Sequence, residues 1–462
     1  MKKLLIYVLL ALSVFIVSNG CNNKKTPTAA APKDTATPED TVGMGRLTAT
    51  DTCTAPAYTA SQTGTITITP TSTSTGTVTS VCSATQTFTM TTVLSATPTF
   101  TVTPTFTHVP SWKPVGSTNF FNGEHPSLQV YNGVPYVGCM DVTSSIDAAA
   151  VLTYNSGSGW TSVGSTDISA GAITSYFSLL YNSGTLYMAY NDLYNYGNTV
   201  MTSTGGSWTT AGSAGFSGGT PKYASVQVYQ GEPYVAFIDG SSGVSEQKAD
   251  VMGYNSGTGW GYLGGEGFNS GTTGIGSPSL QVDNTNGILY IAYSDIANSW
   301  KATVESYTIG SSSSWSVVGN TAGFTTNEAL FTTLQIYNGI PYVAYMDGND
   351  GPVNVMGCIG GTWTTIGNSD FTPITYDPPS FQIYNGTLYV AFQDGTSSSG
   401  ADTVMSYTLG SSTVWTTVGT ADFAPTTAGQ GYYPSICIDP VTGIPYIASN
   451  LYSGGISVMS YQ

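Results

Sequence analysis

Ser111-Trp112-Lys113-Pro114-Val115-Gly116 is an isolated copy of a motif that recurs six more times, as in Trp160-Thr161-Ser162-Val163-Gly164, and it lies ahead of every complete copy of the unit it belongs to. Seven tryptophans, Trp112, Trp160, Trp208, Trp260, Trp315, Trp363 and Trp415, head these copies at intervals of 48, 48, 52, 55, 48 and 52 residues. Such a period marks one supersecondary unit repeated around an axis or along a solenoid.

Each unit holds four runs with strand-like alternation and turn residues between them. The first is Pro126-Ser127-Leu128-Gln129-Val130-Tyr131 and the second Pro135-Tyr136-Val137-Gly138-Cys139-Met140-Asp141. Asn132-Gly133 joins them, and Asn338-Gly339 and Asn385-Gly386 join later copies. Asn-Gly between apolar runs is a strong hairpin signal, because both turn residues adopt positive φ. The third run carries Val251-Met252-Gly253-Tyr254 and its cognates, and the tryptophan motif is the fourth.

Four antiparallel strands in about 50 residues are the blade of a β-propeller. Six complete copies begin near residues 126, 176, 224, 278, 332 and 379, and a seventh, 434–462, stops after its third run. Residues 111–116 supply the missing fourth run. The chain therefore reads as all-β, a seven-bladed β-propeller of four-stranded blades closed by an N-terminal strand, which removes an open edge. One position in the second run is always small: Gly138, Ala189, Ala236, Ala292, Ala344, Ala391 and Ala448. Packing of neighbouring blades explains it, since a larger side chain would overfill the space between sheets.

The N-terminal part is different material. Met1-Lys2-Lys3 and an apolar run from Leu4 to Val17 end at Ser18-Asn19-Gly20-Cys21, which reads as a secretory signal over 1–20. Its end resembles the lipobox of bacterial lipoproteins, and that resemblance implies acylation of Cys21 and a lipid anchor. The expected location is outside the cytoplasm, on a bacterial membrane, at the outer membrane or cell surface. Residues 21–110 are rich in Thr, Ser and Pro and read as a disordered stalk that cannot bury enough apolar surface to fold. Cys53 and Cys82 lie there, where export permits a disulfide. The propeller spans 111–462.

Charge narrows the partners. From Trp112 onward the chain has four lysines, no arginine and 22 acidic residues, a net charge of about −18. A nucleic acid partner is excluded, because phosphate neutralisation needs a basic face.

Catalytic signatures are sparse. Only His108 and His125 exist, His125 reading as a surface residue at a loop start, so no histidine metal cluster is available. The absence of arginine removes the carboxylate clamp of sialidase-like propellers and the sugar contacts of fucose-binding ones. The sequence leaves open a glycosidase pair among the acids but singles none out. Asp141, Asp192, Asp239, Asp295, Asp347 and Asp394 recur singly at the end of the second run, with Asn450 in the last copy. They read as turn residues that accept backbone N–H groups, rather than calcium ligands, which must converge. Gln129, Gln227, Gln281, Gln335 and Gln382 form a second column, read as satisfying one another between blades. Cys139, Cys358 and Cys437 read as buried free thiols.

Tyr154, Asn155 and Trp160, repeated at Tyr254, Asn255 and Trp260, resemble the kelch repeat and its galactose-oxidase-like relatives. The whole unit is more similar to uncharacterised repeats of secreted bacterial proteins, in which a Pro-Tyr-Val-Ala-Tyr-x-Asp strand alternates with a Trp-x-x-Val-Gly strand. That similarity implies a propeller and names no ligand. The expected role is a binding or adhesion module, without enzymatic activity or cofactor, monomeric and tethered to a membrane at Cys21. Its ligand would be a protein or cell surface met by the loops Leu193–Asn198, Ser241–Lys248, Ile296–Lys301 and Thr396–Asp402. One alternative is a lectin-like propeller in which Tyr194, Tyr196 or Trp300 stacks on sugar, Trp300 being the one tryptophan outside the repeat; a further alternative is an enzyme acting on polysaccharide.

Overall fold

The computed structural model describes residues 52–54, 64–68, 85–91, 99–107, 109–240, 248–268, 278–396, 400–423, 431–451 and 455–462. The signal segment, Cys21 and Cys82 lie outside the described residues, and Cys53 is described for its backbone alone. The chain divides into two units, 1–109 and 110–462. In the first, four strands pair antiparallel in the order Thr52–Thr54, Thr99–Thr107, Thr85–Thr91 and Gly64–Ile68. β-Branched threonine at every second position is the local cause, since it favours extended backbone. The segment read from composition as a stalk thus carries paired strands.

The second unit is the seven-bladed propeller, each blade four antiparallel strands, in chain order in blades 1 to 6. Blade 1 is Gly123–Tyr131, Val134–Asp141, Ala148–Asn155 and Gly159–Ser162. Blades 2 to 6 occupy 173–210, 222–262, 279–317, 329–365 and 380–417. Blade 7 takes Gly431–Ile438, Pro445–Leu451 and Ile456–Tyr461 from the C-terminus and Trp112–Pro114 from before blade 1. Ser111 N–H donates to the Gln462 carbonyl at 2.7 Å, and Gln462 N–H returns the bond at 3.0 Å. The first strands of successive blades touch in an unbroken circle, so they surround the axis.

Two rings of side-chain bonds hold the circle. In the outer ring, each tryptophan Nε1 donates to the carbonyl three residues past the tryptophan of the preceding blade. Trp160 reaches Val115 at 2.9 Å, Trp208 Val163 at 2.8 Å, Trp260 Ala211 at 2.9 Å and Trp315 Leu263 at 2.7 Å. Trp363 reaches Val318 at 3.0 Å, Trp415 Ile366 at 2.9 Å, and Trp112 closes on Val418 at 2.8 Å. Phenylalanines stack on six of these indoles, for instance Phe120 on Trp160 at 3.9 Å and Phe423 on Trp112 at 4.4 Å. In blade 2 the equivalent position is Ile168, in the apolar cluster that Trp208 packs against. The glycine that ends the motif faces the next indole: at Gly319, with φ 75°, a Cβ would stand 2.9 Å from Trp363 Nε1.

The inner ring caps a sheet edge. Ser127, Ser178, Ser225, Ser279, Ser380 and Ser435 each accept, through Oγ, a backbone N–H from the inner strand of the next blade, at 2.9 to 3.3 Å. Gln129 Oε1 accepts the Tyr181 N–H at 3.3 Å in the same manner. Unpaired donors at the axial edge are thereby satisfied. At the hairpin end, Asp439 of blade 7 accepts the N–H groups of Asn132 and Gly133 of blade 1. Hydrogen bonds from Thr442, Val441, Gly133 and Asn132 outweigh the effect of burial and hold its carboxyl below the usual range.

The small column lies where blades meet. Its six alanines are wholly buried, and a Cβ on Gly138 would stand 2.6 Å from Phe177. Cys139, Cys358 and Cys437 are buried free thiols. Trp112→Phe keeps the ring but strands the Val418 carbonyl, so it should cost about 1–3 kcal/mol in urea unfolding. An unchanged midpoint would mean that the closing strand does not carry the outer ring.

Candidate functional site

One end of the axis is built from strained backbone. Where each inner strand begins, its pairing with the second strand slips by a bulge in blades 1, 2, 3, 5 and 7. His125, Tyr223, Phe331 and Tyr433 occupy the bulge in four of them, with φ of 54°, 58°, 52° and 51°. Tyr176 stands at the same position of blade 2 and its side chain is outside the described residues. This left-handed conformation suits glycine, and a bulky side chain there costs on the order of 1–3 kcal/mol. The chain has 55 glycines and places rings here instead. The ring side chain is therefore what the position retains.

Because the inner strands encircle the axis, these residues surround its mouth at the end where the second strands finish. His125 and Tyr433 meet across the closing junction, ring centroids 4.1 Å apart and planes tilted by 47°. His125 is half-buried, which corrects its reading as a surface residue. Burial pushes its imidazole down to about 4, so it is neutral near pH 7.

Several buried carboxyls are raised above the ordinary carboxylate range. Tyr433 N–H donates to Asp377 Oδ2 at 3.3 Å, and burial raises Asp377 to about 6. Burial raises Asp402 to about 7 against a hydroxyl bond from Ser449, with the charge of Asp377 adding to the rise. Asp250 is lifted to about 7, first by burial and then by Asp239 and Glu266, against the Gly267 N–H bond and Lys248. Glu305 is raised by burial, although the Tyr293 phenol donates to it at 2.5 Å. No group of three or more His, Cys, Asp or Glu able to hold a metal occurs among the described residues.

The repeated aspartates stand at this end too, each at its own turn. Asp141 Oδ1 accepts the N–H groups of Thr143 and Ser144 and the Thr143 hydroxyl. Asp192 accepts Tyr194 and Asn195 N–H and the Thr199 hydroxyl, and Asp394 accepts Thr396 N–H. Asp295 takes the Asn298 amide and the Thr303 hydroxyl. Asp347 accepts from Asn327 at 3.3 Å, and Asp239 donates its backbone N–H to the Lys248 carbonyl.

The three aromatic candidates are not brought together. Tyr194 and Tyr196 are 68 % and 69 % exposed on blade 2, and Trp300 is half-buried on blade 4, with blade 3 between. Trp300 has φ 63°, and its carbonyl accepts the Ala329 N–H of blade 5, a backbone role its sequence position concealed. Of the contact loops, 241–247 and 397–399 lie outside the described residues. The mouth residues escaped the sequence reading, although an aromatic or histidine two places before the Ser127 column was a visible signal.

No protein-family model matches the sequence, and no curated protein matches it. Among solved structures, the chain is similar to the six-bladed fungal lectin of Aleuria aurantia, at 16 % identity and a TM-score of 0.44, over 67 % of this chain and 100 % of that one. It is similar to the α-L-arabinanase of Penicillium chrysogenum, at 16 % identity and a TM-score of 0.41, over 62 % of this chain and 92 % of the other. The endosialidase of phage phi92 follows at 11 % identity and a TM-score of 0.44, over 78 % and 70 %. The likeness is one of propeller fold alone. It nonetheless corrects the expectation that the chain is not an enzyme: propeller enzymes stand among these structures. The raised carboxyls Asp377 and Asp402 were not visible in the sequence, because burial cannot be read from spacing.

In the full chain, NMR titration should show His125 taking up its proton near pH 4. Because the folded state binds that proton less well than the unfolded chain, the contribution of His125 to stability is present above about pH 6.5 and is lost as the pH falls through about 4. A midpoint for His125 near 6.5 would place its ring in solvent and remove it from the mouth.

Proposed function

We propose that the protein is exported, tethered through a lipid on Cys21, and engages uncharged carbohydrate at the axial mouth of its propeller. The kelch-like reading of the outer hairpin, with Tyr154, Asn155 and Trp160, belongs to this proposal. The observation that carries it is the set of ring side chains held at left-handed backbone positions, His125, Tyr223, Phe331 and Tyr433. Strain of that kind persists where a ligand clamp repays it, and flat apolar faces beside neutral polar groups suit the faces and hydroxyls of a sugar ring. A net charge of about −18 without arginine disfavours acidic polysaccharides, so the ligand class is neutral. Similar structures are named for fucose recognition and as an arabinanase, and the reading agrees with them without resting on them.

A second reading, contact with a protein, is favoured by Tyr194 and Tyr196, which project from one loop of blade 2. The two separate by mutation. On an array of neutral glycans the full chain should bind, and Tyr223→Ala and Tyr433→Ala should each weaken binding about tenfold, a loss near 1.4 kcal/mol, with the fold intact. A null array, with a protein ligand lost on Tyr194→Ala and Tyr196→Ala, would replace the first reading by the second. Release of reducing ends from the bound glycan, lost in Asp377→Asn, would add catalysis to recognition.

A further inference from the structure

The junction between blades 6 and 7 carries a carboxylate where blades 1, 3 and 5 carry hydrocarbon and blades 2, 4 and 7 carry an uncharged polar residue. The cross-strand pair at this position is Met140 with Ala149 in blade 1, Ile238 with Ala249 in blade 3 and Met346 with Val353 in blade 5. Blade 2 places Asn191 opposite Asn198, and these amides bond each other while Thr174 bonds Asn191. Blade 6 pairs Gln393 with Asp402, 3 % and 2 % exposed. Ser449 of blade 7 donates its hydroxyl to Asp402 Oδ2. Asp402 Oδ1 and Gln393 Oε1 are buried without a hydrogen-bond partner.

Blade 7 leaves space for the Asp402 carboxyl. Gly431 begins its inner strand, and a Cβ there would stand 2.4 Å from Asp402 Oδ2 and 2.7 Å from Oδ1. Asp377, which holds the Tyr433 N–H, adds a second negative charge that Asp402 feels. A buried carboxylate and amide oxygen without donors are costly, and the pairs in blades 1, 3 and 5 show that the fold does not need them. What satisfies two acceptors beside two carboxyls is a positive species.

We propose that this junction is a cation site of the calcium class, with Asp402 Oδ1 and Gln393 Oε1 as ligands and Asp377 as the supporting charge. The donors are all hard oxygens, without sulfur or imidazole, which selects calcium over the transition metals. Bound there, the ion would neutralise the carboxylate that accepts the Ser449 hydroxyl of the closing blade. The site is independent of what the mouth binds, and its test reads stability and metal content rather than ligand affinity.

Calcium chloride titrated into the chelator-stripped full chain should give one calcium per chain by elemental analysis. At about 100 times the dissociation constant, the unfolding midpoint should rise by about 4 °C. Asp402→Asn should abolish both effects. So should Gln393→Met, which installs the side chain that blades 1 and 5 carry and keeps the fold testable if the first variant fails. A midpoint indifferent to calcium, or a rise that survives both substitutions, overturns the proposal. So does a chain without calcium response in which Asp402→Asn alone raises the midpoint above about pH 7, because the junction then holds a proton.

Discussion

The indole N–H bond from each blade to the carbonyl of the blade before it is the constraint on which the ring depends. A propeller blade offers two faces and cannot bury both alone, so its stability comes from its neighbours. Seven such bonds, Trp112 to Val418 among them, set the spacing of successive sheets at the rim. Six phenylalanine stacks add apolar area at the same points, and the motif glycine gives the next indole its space. Trp-x-x-x-Gly is therefore an inter-blade joint rather than a feature of one strand.

At the axis the problem is different, because each inner strand is a sheet edge with donors turned away from its own blade. Ser127 and its cognates satisfy them from the preceding blade, which lets the inner strands crowd the axis without unpaired N–H groups. With both rim and axis fixed, the bulges at the strand entries hold an unfavourable φ at four positions.

Much of this was legible in the sequence. The strand count, the seven blades, the closing strand at 111–116 and the small column from Gly138 to Ala448 follow from period and alternation. The Asp141 column is visible as a repeated position, but the partners each aspartate meets differ from blade to blade. Other features were not legible. His125 looked like a loop residue because its partner, Tyr433, lies more than 300 residues away across the closing junction. Trp300 invited a ligand role, yet its backbone serves the next blade. The buried carboxyls Asp377 and Asp402 are ordinary loop and strand residues by pattern, and only their burial distinguishes them.

The sequence by itself determined how many units there are, which residues pair within a unit and where the circle closes, because hairpins and strand alternation are written in neighbouring residues. Tertiary structure alone decided which carbonyl each tryptophan meets, which rings share the axial mouth and which carboxylate is stranded between blades. Those outcomes depend on the angle and distance between sheets about 50 residues apart, which no local pattern encodes.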